Sequence, residues 1–211
     1  MSGSRPVSVA VAPGVVHYPG YLDRAAQETL RDALEAILHD APLFEPRMPR
    51  TGKAFSVRMT NCGPLGWVSD IAGYRYQTSH PETGAPWPPI PAIALQAWTD
   101  LAAGAPPPEA CLVNFYAPTA RMGLHQDRDE RDLSAPVLSL SLGDACLFRI
   151  GGTERAGPTR SFRLQSGDAL TFGGPARLAF HGVDRILPET STLLKAAGRI
   201  NLTLRRVSPP A

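Results

Sequence analysis

From residue 110 onward the chain is a succession of short apolar runs separated by turn residues, and this pattern limits the fold more than any other feature. Turn-forming residues stand at 151–152, 166–168 and 173–175. Short runs bounded by Gly, Pro, Asp and Ser are typical of β-strands. We predict strands at 111–116, 137–142, 146–150, 160–164, 169–172, 178–183 and 200–207. Seven or eight short strands with glycine-rich turns favour a double-sheet jelly roll.

The N-terminal half has a different pattern, in which two helices stand among loops rich in proline, glycine and aromatic residues. We expect a first strand within 1–20 and a strand-like piece at 55–59. Residues 22–38 carry an apolar stripe at helical spacing, with Asp23 as the candidate N-cap. A second helix is predicted at about 91–103, with Gly104 near its end, and prolines at 106–108 mark a linker.

These patterns together predict a mainly β protein with flanking helices, built as one structural unit. Its N-terminal part, residues 1–105, is expected to hold the helices and a lid over the site. Its C-terminal part, residues 106–211, is expected to form the core, a double-stranded β-helix (jelly roll).

Composition narrows the class of protein without identifying a partner. The chain has 211 residues, 43% of them hydrophobic, and no apolar run approaches the ~20 residues that a membrane span requires. No basic segment followed by an apolar stretch opens the chain, so we expect no signal peptide and no membrane association. Three widely spaced cysteines without a C-x-x-C motif are expected to be free thiols in a reducing cytoplasm. A net charge of +2 is too small to establish a nucleic-acid partner.

His125, Asp127 and His181 form a His-x-Asp pair with a distant second histidine. This is the ligand set of the 2-His-1-carboxylate facial triad, which leaves positions on Fe(II) open for a co-substrate and O₂. We predict these three residues as the metal ligands and catalytic centre. The alternative for His181 is an ordinary, half-buried histidine at a strand end.

Arg199 and Arg205 alternate with Ile200, Leu202 and Leu204 in the last predicted strand. Arginine binds carboxylates through two parallel hydrogen bonds, so the pair could grip a dicarboxylate. The alternative is the polar face of an amphipathic strand. A metal with open positions beside a carboxylate clamp indicates an Fe(II)- and 2-oxoglutarate-dependent oxygenase.

Several longer motifs make a more specific match. They are Met59-Thr60-Asn61-Cys62-Gly63, Leu65-Gly66-Trp67, Gly73-Tyr74 with Tyr76, Asn114-Phe115-Tyr116-Ala117-Pro118, Leu124-His125-Gln126-Asp127-Arg128-Asp129-Glu130, Gly151-Gly152, His181-Gly182 and the segment 199–205. With these motifs the chain resembles the AlkB family of Fe(II)/2-oxoglutarate-dependent nucleic-acid dealkylases, and in particular its bacterial DNA repair members. The resemblance covers roughly residues 50–207.

The resemblance implies an activity and its cofactors. The expected reaction is oxidative demethylation of 1-methyladenine and 3-methylcytosine, a direct reversal of DNA damage that releases formaldehyde. Fe(II) and O₂ are the implied cofactors, and 2-oxoglutarate, the co-substrate, becomes succinate and CO₂. The implied partner is alkylated single-stranded DNA, with double-stranded DNA and RNA left open, and the protein is expected to act as a monomer.

The resemblance also implies roles for individual residues. The positions that match the 2-oxoglutarate site are Asn114, Tyr116, Arg199, Asn201 and Arg205. Arg199 with Tyr116 would hold the far carboxylate, and Arg205 with Asn114 the end nearest the metal. The positions that match substrate contacts in a nucleotide-recognition lid and around the site are Trp67, Tyr74, Arg75, Tyr76, Asp129 and Arg155.

Two other functions remain open at this point. One is a non-catalytic, metal-binding jelly roll, although a structural metal has no need of the arginine pair. The other is a hydroxylase of the same chemistry that acts on a small molecule or a protein side chain. The aromatic residues Trp67, Tyr74 and Tyr76 favour a flat substrate and so argue against this alternative.

Overall fold

The computed structural model describes residues 6–102 and 104–209. Its elements, in chain order, are β1 Val9–Ala12, β2 Val15–Tyr18, α1 Arg24–Asp40, β3 Val57–Cys62, β4 Gly66–Asp70, β5 Gly73–Gln77, α2 Ala92–Leu101, β6 Ala110–Tyr116, β7 Met122–His125, β8 Val137–Gly143, β9 Ala145–Ile150, β10 Arg160–Leu164, β11 Ala169–Phe172, a short 3₁₀ helix Gly174–Ala176, β12 His181–Leu187 and β13 Arg199–Arg205. Within these described residues no helix is both long and apolar enough to cross a bilayer.

Two antiparallel sheets form the core. The larger has seven strands in the order β1-β2-β11-β8-β13-β6-β3, and the smaller has four in the order β10-β9-β12-β7. An apolar cluster from both sheets, including Leu112, Phe148, Phe172 and Val183, packs between them. This arrangement confirms the mainly β jelly-roll fold with flanking helices.

Strand β13 separates the apolar interior from the polar site because its side chains alternate between the two faces of the larger sheet. Ile200, Leu202 and Leu204 pack in the cluster that includes both helices. Arg199 and Arg205 point the other way, into the space between the sheets, as do Asn201 and Thr203. One strand therefore helps to attach the helices and also lines a polar cavity.

The helices lie close to their predicted positions. The carboxylate of Asp23 accepts a hydrogen bond of 2.8 Å from the backbone amide of Ala26, which confirms it as the N-cap of α1. Helix α1 buries Leu30, Leu34 and Ile37. Helix α2 ends at Leu101, and position 103, the predicted last residue, lies outside the described residues.

Some predicted boundaries are wrong. The strand expected at 178–183 begins only at His181 and continues to Leu187, because the preceding residues form a 3₁₀ turn and a loop. Strands β4, β5 and β7 were not predicted; each has only four or five residues and contains glycine. The division at 105/106 stays a prediction, and β1, β2 and β3 from the N-terminal part belong to the same sheet as the later strands.

Candidate active site

Two histidines face each other because strands β7 and β12 pair. His125 and His181 are register partners, and their ring centroids lie 4.4 Å apart. The strands approach so closely at the next residue that a Cβ on Gly182 would lie 2.5 Å from the carbonyl oxygen of Met122. Glycine at this position therefore permits the approach that brings the imidazoles together.

Backbone carbonyls fix the orientation of both rings. Nδ1 of His125 lies 3.0 Å from the carbonyl oxygen of Gly123, and Nδ1 of His181 lies 2.9 Å from that of Ala179. A carbonyl only accepts, so each Nδ1 carries a proton, and Nε2 is the nitrogen left to bind a metal. Burial, reinforced by the charge of His125, lowers the pKa of His181 to about 4, so this ring is neutral at pH 7.

Asp127 completes a three-residue cluster that could hold a metal ion. Its carboxylate oxygens lie 3.8 Å from Nε2 of His125 and 3.8 Å from Nε2 of His181. The ligand atoms of the three residues all lie within 4.8 Å of one another. Two imidazole nitrogens and one carboxylate are the donors of a facial triad.

Arg205 keeps the buried carboxylate of Asp127 ionised. Its Nε donates to Oδ2 of Asp127 at 3.0 Å, and its Nη2 lies 2.8 Å from Oδ1. Burial on its own raises the pKa of Asp127, but the opposing charge of Arg205 outweighs it and holds the pKa well below its ordinary value. The carboxylate is therefore available to a cation at neutral pH.

A second buried ion pair, Arg177 with Glu130, supports the first. Arg177 donates from Nη2 to Oε2 of Glu130 at 3.0 Å and from Nη1 to the backbone oxygen of Asp127 at 2.6 Å. Glu130 also accepts from the hydroxyl of Tyr76, which in turn accepts from Nη1 of Arg205 at 3.3 Å. Two cations and two anions thus balance in one buried network.

Arg199 is a buried cation without an anionic partner among the described residues. It is 1% exposed, and no carboxylate among the described residues lies within ion-pair distance of it. Nη2 donates to Oγ of Ser141 at 2.7 Å, while Nε has no hydrogen-bond partner in the described part of the chain. Unpaired buried charge is costly, so this geometry favours a ligand carboxylate at Arg199.

The residues around Arg199 extend this site along the sheet. Tyr116 is its register partner, and Asn114 pairs with Asn201 two residues further along the strands. Burial raises the pKa of Tyr116, so its hydroxyl keeps its proton and can donate a hydrogen bond. Oδ1 of Asn114 is buried without a partner in the described residues.

One cavity of about 860 Å³ contains these groups. Its lining includes all three members of the metal-binding cluster, both Arg199 and Arg205, and the polar side chains on β6 and β13. Trp67, Tyr74, Asp129 and Arg155 also line it. A metal, a carboxylate ligand and a third, larger molecule could therefore meet in a single space.

An aromatic pair stands in the lining of this cavity. The rings of Trp67 and Tyr74 stack with their centroids 5.6 Å apart and an interplanar angle of 18°. The indole Nε1 of Trp67 donates to Oδ2 of Asp129 at 2.8 Å. The β4–β5 hairpin and the loop after β7 thus bring a flat apolar surface next to a carboxylate.

The remaining predicted substrate residues take other positions. Arg75 lies on the opposite face of the hairpin, where it forms a two-point ion pair with Asp70 (3.0 and 2.8 Å) and does not line the cavity. Tyr76 turns inward to Glu130 and Arg205. Arg155 reaches the cavity and lies over the ring of Phe180, 5.6 Å from its centroid. The roles assigned to all three residues stay predictions.

Sequence reasoning assigned no role to Glu130 and did not single out Arg177. Glu130 lies within the matched motif, so its position there was the available signal. Arg177 follows a short 3₁₀ helix, and nothing in its local sequence indicates that it is buried against a residue 47 positions earlier. Only the folded chain brings the two together.

Comparisons with known proteins agree on one family. Residues 14–205 match the family model described as the 2OG-Fe(II) oxygenase superfamily. The chain is 57% identical over 198 residues to an alpha-ketoglutarate-dependent dioxygenase AlkB homolog of Caulobacter vibrioides, with 94% of this chain and 90% of that protein covered. It is 38% identical over 209 residues to alpha-ketoglutarate-dependent dioxygenase AlkB of Escherichia coli, with 96% and 94% covered.

The chain is also similar to one solved structure and one further protein whose names contain ALKBH1. A solved structure titled "The structure of OsALKBH1" is similar with a TM-score of 0.78 and 32% identity, covering 95% of this chain and all of that one. The DNA N(6)-methyladenine demethylase ALKBH1D of Arabidopsis thaliana is 44% identical over 108 residues, which is 46% of this chain and 24% of that protein.

The close approach at Gly182 generates a test of the metal-binding cluster. In Gly182→Ala the added methyl meets backbone oxygens that cannot move away, so β12 and His181 must shift relative to His125. We expect Fe(II) affinity, measured by anaerobic titration, to fall about 10- to 100-fold, as when groups that orient metal ligands are changed. Gly123→Ala is the matched control, because a Cβ there meets no atom within 4 Å. Equal affinity in both variants, with unchanged thermal unfolding, would contradict this account.

Proposed function

The chain belongs to the 2OG-Fe(II) oxygenase superfamily and, within it, to the AlkB family, and from that premise we propose that it repairs N-alkylated bases in DNA by oxidative demethylation. Membership makes it an Fe(II)- and 2-oxoglutarate-dependent dioxygenase that uses O₂. The proposal concerns the substrate and the role of each residue in the cavity.

The donor atoms of the cluster fit Fe(II). We assign His125, Asp127 and His181 as its ligands, because two imidazoles and one ionised carboxylate already converge within 4.8 Å. The carbonyl hydrogen bonds to both Nδ1 atoms direct each Nε2 toward the ion. Arg205 restrains the carboxylate of Asp127 by contacts to both of its oxygens.

The two arginines fit the two ends of 2-oxoglutarate. Arg199, a buried cation without an anionic partner in the part of the chain that the structure describes, would bind the far carboxylate together with the hydroxyl of Tyr116. Arg205 would bind the end nearest the metal, beside Asn114 and Asn201. When bound, the metal and its co-substrate supply the oxidation of the N-methyl group, which leaves as formaldehyde while 2-oxoglutarate becomes succinate and CO₂.

The aromatic pair and Asp129 favour a flat, positively charged substrate. A base must leave the stack before chemistry can reach its methyl group, and flat side chains compensate for the lost stacking with ~1–3 kcal/mol per base. Methylation at N1 of adenine or N3 of cytosine gives the base a positive charge and blocks its pairing. The carboxylate of Asp129 beside Trp67 would attract such a base, and the blocked base is easier to extrude.

The single observation that carries the proposal is Arg199. A buried guanidinium whose Nε has no partner in the described part of the chain, in the same cavity as the metal-binding cluster, favours a carboxylate ligand beside the metal. A non-catalytic, metal-binding jelly roll has no need of that ligand. A hydroxylase of small molecules or protein side chains would share Arg199, so the substrate itself must decide between those two activities.

Location and assembly belong to the same proposal. We infer a reducing, cytoplasmic location, which the three buried free thiols of Cys62, Cys111 and Cys146 support. We also propose that the protein acts as a monomer on single-stranded DNA, with double-stranded DNA and RNA as further substrates. Gel filtration of the purified protein tests the monomer.

Formaldehyde release tests the activity directly. We expect purified protein with Fe(II), 2-oxoglutarate and O₂ to release formaldehyde from single-stranded oligodeoxynucleotides that carry 1-methyladenine or 3-methylcytosine. Matched RNA and duplex substrates rank the alternatives. Succinate formation without formaldehyde from any methylated oligonucleotide would replace the repair function with hydroxylation of a small molecule or protein.

Replacing Arg199 by lysine tests the carboxylate clamp. Lysine keeps the charge but loses the planar pair of donors, and a hydrogen bond to a charged group contributes about 1.5–3 kcal/mol. We expect Arg199→Lys to raise the dissociation constant for 2-oxoglutarate about tenfold or more. Arg24→Lys on the exposed surface of α1 is the control. An unchanged dissociation constant in Arg199→Lys would remove Arg199 from the clamp.

Replacing Asp129 by asparagine tests recognition of the charged base. The amide keeps an oxygen that can accept from Nε1 of Trp67 but removes the negative charge. We expect Asp129→Asn to lose activity on 3-methylcytosine while retaining activity on a neutral lesion such as 3-methylthymine. Succinate formation without nucleic acid should stay the same. A proportional loss on both lesions would show that charge is not what Asp129 contributes.

A further inference from the structure

The outward face of the smaller sheet carries three arginines outside the cavity. They are Arg149 on β9, Arg163 on β10 and Arg185 on β12. Arg163 and Arg185 are both register partners of Leu147, one on each side of it. With strands about 4.8 Å apart, the two arginine backbones stand about 10 Å apart across the sheet.

This face has an excess of positive charge. Within strands β9, β10 and β12 the face carries one carboxylate, that of Asp184. Asp184 forms a two-point ion pair with Arg149. Neither Arg163 nor Arg185 forms an ion pair or a hydrogen bond with the described residues, and both are exposed. Two guanidinium groups in one row are therefore free to bind an anion.

Protection of a sheet edge does not explain both residues. Charged side chains on edge strands discourage pairing with other molecules, and β10 is an edge strand of its sheet. Strand β12 lies between β9 and β7, so Arg185 has no edge to protect. A β-bulge between Val183 and Arg185 further places Asp184 and Arg185 next to each other on the outward side.

The arginine face is continuous with the region around the cavity. Arg149 precedes Ile150, the register partner of His181, and the loop that follows β9 carries Arg155 into the cavity lining. Leu147, which pairs with both Arg163 and Arg185, precedes Arg149 by two residues, a distance of about 7 Å along β9. Arg149 is therefore nearer to the cavity along β9 than the row of Arg163 and Arg185 is.

We propose that this arginine face binds the phosphate backbone of the nucleic-acid strand that flanks the target nucleotide. The inference rests on the proposed function for the identity of its polyanion. Arginine matches phosphate with two parallel hydrogen bonds. Contacts of this kind add affinity and position the strand without reading its sequence.

Direct binding tests the proposal without requiring catalysis. Fluorescence anisotropy would measure the affinity of the holoenzyme for an unmodified single-stranded oligonucleotide of about 25 nucleotides, longer than typical site sizes of about 4–16 nucleotides, and for a trinucleotide. We expect Arg163→Glu/Arg185→Glu to weaken binding of the long strand about tenfold or more. The logarithmic salt dependence should become shallower by about 1.4, or about 0.7 for each of two lost contacts with a single strand. Binding of the trinucleotide should not change.

Two matched variants complete the experiment. Arg24→Glu/Lys195→Glu makes the same change in charge beside the helices, and Arg163→Lys/Arg185→Lys keeps the charge on the arginine face. We expect the helix-side variant to bind the long strand nearly as the wild type does, and the lysine variant to bind it more tightly than Arg163→Glu/Arg185→Glu does. Equal weakening in the helix-side variant would show that general attraction is responsible, and weakening with the trinucleotide would point to a damaged cavity. No change in any variant would mean that the face is only solvated. Any one of these three results overturns the proposal.

The same variants separate this inference from the proposed function. If the wild-type protein releases no formaldehyde but the charge-reversed face still loses affinity for the long strand, the arginine face stands and the repair function fails. If formaldehyde release and strand affinity are normal in Arg163→Glu/Arg185→Glu, the repair function stands and the arginine face fails.

Discussion

The cavity depends on Arg205, whose guanidinium lies between two buried carboxylates, Asp127 and Glu130. Transfer of any one of these charges from water into the protein would be costly, and it is tolerated because each has an opposite charge and hydrogen bonds close by. Removing one partner leaves the others buried without compensation, which typically costs about 3–5 kcal/mol. The network therefore restrains β13, the loop after β7 and the β4–β5 hairpin together.

The larger sheet keeps the apolar and polar parts of the protein separate. On its helix side Leu202 and Leu204 are fully buried among apolar neighbours. On the side facing the cavity, Asn201 donates to Ser139 and accepts from Thr203, while Oδ1 of Asn114 and Nε of Arg199 have no partner among the described residues. Because alternation along one strand decides both faces, a shift of register by one residue would exchange them. The register is thus fixed from both sides.

The sequence was most informative where function and periodicity coincide in a short stretch. His125 and Asp127 are two residues apart, and β13 alternates over seven residues, so the metal-binding cluster and the arginine pair could be predicted without the fold. Arg177 could not, because its three hydrogen bonds reach residues 42 to 50 positions away. The direction of Arg75 also depended on the pairing of β4 with β5, two short strands that the pattern did not indicate. Local propensity also misplaced the start of β12, because the apolar residues before His181 resemble a strand but close a 3₁₀ turn.

The stacked rings of Trp67 and Tyr74 have an energetic consequence of their own. One face of the indole is covered by the ring of Tyr74. An incoming ring that takes this face replaces an existing contact, so it gains only the difference between two stacking energies. A normally paired base would have to offset the whole cost of leaving the duplex with that small difference, whereas a lesion that cannot pair has little to lose. Mutual coverage of the two aromatic side chains would therefore lower the gain from stacking for every base and favour bases that are already unpaired.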